Sequence, residues 1–88
     1  MTSVPEKFNV IIVYGTNKQL QVEESETIGQ VKLEAMKLFG IDPSEAGKFV
    51  LKATIEGKEE TLNEAQTVAY YKIHREQKIT LASGNPYG

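Results

Sequence analysis

The chain has 88 residues, a formal net charge of −2, 40% hydrophobic residues and no cysteine. A chain of this length makes one small domain that buries only about 60% of its unfolded surface. The balanced charge offers no basic field to nucleic acid or an anionic membrane, and without thiols there is no disulfide, thiolate metal site or cysteine nucleophile.

Met1 leads into Thr2-Ser3-Val4-Pro5-Glu6-Lys7 with no apolar stretch like that of a secretory leader, and no run approaches a membrane span. The expectation is a cytoplasmic protein whose residues 1–7 form a flexible arm. Phe8–Tyr14 (FNVIIVY) is β-branched and aromatic, as a half-buried strand requires. Gly15-Thr16-Asn17 supplies turn residues, and Lys18–Val22 then alternates with Leu20 and Val22 on one face, so the two segments predict a β-hairpin.

Thr27 followed by Gln30 forms a capping box, in which hydroxyl and amide satisfy helix-end donors reciprocally. Ile28, Val31, Ala35 and Leu38 recur at helical spacing, Gly40 suits the left-handed position after the helix, and Ile41 supplies the apolar contact that accompanies it. Lys48–Leu62 is again strand-rich, with Gly57-Lys58 placed for a tight turn. Gln66–Ile73 reads as a single-turn segment, and Lys78–Ala82 as a last strand before a polar tail, 83–88. The order strand, strand, helix, strand, strand, strand predicts an α+β domain over 8–82, with one main helix packed on a mixed sheet. Ile28, Val31, Leu38, Leu62, Ile73, Ile79 and Leu81 are expected in its core.

Little in this pattern carries catalysis. His74, the sole histidine, sits in a polar stretch, and Glu23, Glu24, Glu26, Glu59 and Glu60 occupy turns and strand surfaces. With no nucleophile–base pair and no phosphate-binding glycine loop, the expectation is a protein that is not an enzyme, with no catalytic residue, metal or cofactor.

Three segments stand in collinear order: Thr27-Ile28-Gly29-Gln30-Val31-Lys32, then Gly40-Ile41-Asp42-Pro43, then Thr67-Val68-Ala69-Tyr70-Tyr71-Lys72-Ile73. Together they resemble the ubiquitin-like family, and the resemblance extends over residues 8–88. It implies the ubiquitin-like β-grasp. It departs in a shorter first hairpin loop, a longer stretch from Leu51 to Gln66, and the arm at 1–7.

The resemblance also implies a function. Laid without gaps from Ile73, the last strand brings Gly88 onto ubiquitin's terminal glycine. A modifier of this kind has its Gly88 carboxylate adenylated by an E1-like activating enzyme, which spends the ATP; an E2-like carrier and a processing protease are further partners. The acyl group passes to a lysine amine on target proteins. Gly84, Asn85, Pro86 and Tyr87 would form the tail that such an enzyme grips. Pro86 fixes its own φ and extends Asn85, whereas Tyr87 stands where diglycine is usual. A wider-channelled enzyme is then required, of the kind that divergent bacterial ubiquitin-like systems supply. The alternatives are a noncovalent ubiquitin-like interaction module and a thiocarboxylate sulfur carrier. By the same resemblance Lys48, Val50, Thr80 and Ala82 mark a partner-binding sheet face, on a chain expected to be a monomer that meets neither nucleic acid nor membrane.

Overall fold

A computed structural model describes residues 7–84. In chain order it contains β1 (Lys7–Tyr14), β2 (Thr16–Glu23), α1 (Ile28–Leu38), a 3-10 helix (Pro43–Lys48), β3 (Phe49–Ile55), β4 (Lys58–Thr61) and β5 (Lys78–Ser83). The strands form one sheet in the order β2-β1-β5-β3-β4. The β1–β5 pair is parallel and every other pair antiparallel, so the sheet is mixed and the class α+β as expected.

Both ends of α1 follow from the sequence. The Gln30 backbone N–H donates to the Thr27 hydroxyl (3.2 Å), and the Thr27 N–H donates to Gln30 Oε1 (2.9 Å). At the other end Gly40 takes φ +72°, its N–H donates to Lys37 O, and the Ile41 N–H donates to Met36 O. This double bond closes a helix through a left-handed residue, a conformation that glycine adopts without strain.

One face of the sheet and one face of α1 enclose the core of Val10, Ile12, Val22, Ile28, Val31, Ala35, Met36, Leu51, Leu62, Ile73, Ile79 and Leu81, among others. Of the residues expected there, Leu38 is only partly buried, packed against the edge of the core; the buried face of α1 runs through Lys32 and Met36 instead. Both hairpins also turn differently. Gly15 alone forms the apex of the first, with Tyr14 opposite Thr16, so Thr16 and Asn17 belong to β2. The second turns at Glu56-Gly57, both with positive φ, because such a pair matches the twist of the flanking strands.

Lys32 is the unexpected core residue. Its side chain is 3% exposed, and Nζ donates to Ala46 O (2.6 Å), Phe49 O (3.1 Å) and the Glu64 carboxylate. Lys32→Ala should cost about 3 kcal/mol, because it strands two carbonyls and a partly buried carboxylate; Lys32→Met should cost less, since it keeps the apolar stem. Leu81, 2% exposed between β3 and β1, should lose about 2–5 kcal/mol on substitution by alanine. Urea denaturation midpoints measure all three, and a Leu81→Ala midpoint equal to wild type would contradict the packing.

Candidate functional site

Because α1 covers only one face of the sheet, the other face stands open. Strand alternation puts Ile11 and Val13 of β1 there, opposite in sense to the buried Val10 and Ile12. Val13 pairs with Thr80, Thr80 with Lys52, Ile11 with Lys78, and Val50 with Ala82, which places all seven side chains on this face. Ile11, Val13, Thr80 and Ala82 are half-exposed, while Lys52 and Lys78 take part in no ion pair among the described residues. The surface is a narrow apolar band with two free ammonium groups beside it.

The four residues assigned to this face by the sequence fare differently. Thr80 and Ala82 lie within the band. Val50 is only 4% exposed, and an added Cβ on Gly84 would stand 3.2 Å from its Cγ2. The chain leaving β5 therefore lies against Val50 and withdraws it from solvent. Lys48 ends the 3-10 helix, paired with Glu45 at 2.8 Å, and that hydrogen bond and charge raise its pKa. Ile11, Val13, Lys52 and Lys78 escaped the sequence reading, because the near-continuous apolar run of β1 hides which of its residues face outward.

The boundaries differ slightly from expectation. Lys7, assigned to the arm, belongs to β1 and pairs with Glu23. Ser83, assigned to the tail, pairs with Phe49, and the Gly84 N–H donates to Lys48 O (2.9 Å). Asn85, Pro86, Tyr87 and Gly88 lie outside the described residues, as do residues 1–6.

His74 is exposed, with Nδ1 3.0 Å from its neighbour's carbonyl, Arg75 O. Among the described residues no three His, Cys, Asp or Glu side chains gather as metal ligands would, and no helix is long and apolar enough to cross a membrane. One acidic grouping perturbs its own chemistry. Glu34 on α1 shares a hydrogen bond with Glu26, and this bond, desolvation and repulsion from Glu26 and Glu23 raise its pKa to about 7, against a smaller opposing pull from Lys7.

No protein-family model and no curated protein matches the chain. Solved structures do: 357 chains match, so the fold is widely shared and does not by itself define a function. One is the crystal structure of ATBAG1 in complex with HSP70, with a TM-score of 0.70 and 14% identity over 86% of this chain. The match spans 40% of the ATBAG1 chain. With the element order and mixed sheet above, it makes this domain a ubiquitin-like fold.

Glu34 yields a pH prediction. Its folded pKa, about 7, lies above the ordinary 4.5, so the folded state holds this proton more tightly than the unfolded chain does. The stability it contributes is complete below pH 4.5 and drains away as pH rises to about 7. Glu34→Gln should flatten that part of the pH–stability curve; an unchanged slope in urea titrations across this window would contradict the carboxyl pairing.

Proposed function

We propose that the domain is a noncovalent protein-interaction module that binds through the open face of its sheet. The observation that carries this reading is the half-exposed band of Ile11, Val13, Thr80 and Ala82 flanked by Lys52 and Lys78. Apolar surface that α1 leaves uncovered, rimmed by charge with no ion pair among the described residues, has the composition of a recognition surface. Its complement is a segment with small apolar residues at the centre and carboxylates at the edge, an amphipathic helix with an acidic flank being the simplest form. ATBAG1 was crystallised with a protein partner, HSP70, which supports a protein partner here as well. On this reading the chain recognises rather than catalyses and needs no cofactor of its own.

Conjugation through Gly88 rests on residues 85–88, outside the described residues, and the structural likeness lends it no support; the interaction module therefore takes precedence. Ubiquitin's own receptors should bind weakly, because Thr80 and Ala82 offer fewer methylenes than a branched aliphatic patch, at about 0.8 kcal/mol for each one lost.

Nuclear magnetic resonance titration with an acidic amphipathic helical peptide tests the proposal. Shifts should centre on Val13, Lys52 and Thr80, and Lys52→Glu should weaken binding about tenfold while leaving the spectrum folded. Shifts centred on α1, or binding indifferent to Lys52→Glu, would overturn it.

A further inference from the structure

A second surface lies away from the open face, where the β3–β4 hairpin leans over the segment between Thr67 and Ile73. Ile55, Glu56, Glu60, Tyr70, Tyr71 and Lys72 line a cleft of about 380 Å³ there. Tyr70 is 61% exposed, the most exposed of the large hydrophobic side chains among the described residues. Exposure of this degree normally leaves a ring free to rotate. Here the ring stands edge-to-face against Tyr71, with centroids 5.0 Å apart and planes at 86°. Tyr71 is itself held, because the Asn63 backbone N–H donates to its hydroxyl (2.8 Å). The Tyr70 backbone is fixed as well, its N–H donating to both Thr67 Oγ1 and Thr67 O at 3.1 Å. The aromatic wall is thus set before any ligand arrives, which lowers the entropy lost on binding.

The charge of the cleft selects the ligand. Glu56 and Glu60 against Lys72 leave a net charge of −1, and no ion pair forms among these three. An electron-rich ring beside unpaired carboxylates suits a flat cation, which can stack on the one and donate paired hydrogen bonds to the other. Guanidinium meets both demands; an ammonium has neither the plane nor the fork. The cleft adjoins β4, the edge strand that carries Glu60, whose outer side pairs with no strand among the described residues. That edge offers backbone N–H and C=O groups to an extended chain.

We infer that the cleft between the β3–β4 hairpin and Tyr70 receives an arginine side chain from a partner polypeptide that lies extended along β4. Arginine stacks on Tyr70 and its guanidinium donates to Glu60, while the residues beside it take the open edge. This surface is independent of the outer-face reading and can stand or fall alone.

The probe is a capped pentapeptide, Ala-Val-Arg-Val-Ala, titrated into the isotope-labelled protein. Three ligands are compared with it: the same peptide with citrulline for arginine, the same with lysine, and acetylarginine amide. Shifts should centre on Ile55, Glu60, Tyr70 and Tyr71. Tyr70→Ala and Glu60→Gln, both exposed positions that should leave the fold intact, should each weaken binding about fivefold. The citrulline and lysine peptides should bind more weakly than the arginine peptide, and acetylarginine amide more weakly still. Equal binding by citrulline or lysine, indifference to both substitutions, or shifts centred on Val13 and Thr80 would overturn the assignment. Acetylarginine amide matching the pentapeptide would overturn the role of the β4 edge.

Discussion

The buried ammonium of Lys32 is the constraint around which the domain is arranged. An ammonium has three protons to donate, and each is spent on a different stretch of chain: the 3-10 helix at Ala46, the start of β3 at Phe49, and the loop after β4 at Glu64. Stripping water from a charge costs several kcal/mol unless every donor finds a partner. The ammonium therefore ties all three segments to one point of α1, and the folded state is weakened when any of them moves away. Hydrophobic burial alone would tolerate small slides of the helix over the sheet; a saturated ammonium does not. Among the described residues no buried side-chain nitrogen or oxygen lacks a hydrogen-bond partner.

That fixed helix determines which surfaces remain. An 11-residue helix can cover one face of a five-stranded sheet and no more. The inner sides of β1, β3 and β5 take the large aliphatic residues, and their outer sides are left with half-exposed apolar groups and lysines. Beside the β3–β4 hairpin, residues of the segment from Thr67 to Ile73 (Tyr70, Tyr71 and Lys72) line the cleft with Ile55, Glu56 and Glu60. Open face and lateral cleft both follow from a single helix serving a sheet wider than itself.

The sequence displayed some of this plainly. The cap at Thr27 and the exit at Gly40 were legible because each depends on residues within one turn of it. The order of elements was legible from apolar periodicity. Other features depend on partners distant in sequence. Lys32 looks like any solvated helix lysine until Glu64 and the 3-10 helix are brought beside it. Ile11 and Val13 are indistinguishable from core residues when neighbours on both sides are apolar. Val50 reads as an exposed strand position, since only the path of the chain after β5 covers it. The pairing of Tyr70 with Tyr71 could be suspected from their adjacency, but its orientation requires Asn63, which sequence spacing does not place.

The parallel pairing of β1 with β5 has a mechanical consequence. The first and last strands lie side by side in the middle of the sheet and run the same way, with Ile11, Ile12 and Val13 beside Lys78, Ile79 and Thr80. A tension applied through the two ends of the domain would pull β1 and β5 past each other along their length. The bonds between them, which run across the strands, then share the load and must fail together instead of opening one by one as in a zipper. The domain is built to resist stretching along its chain axis far better than peeling from the β4 edge, where four residues can detach in sequence.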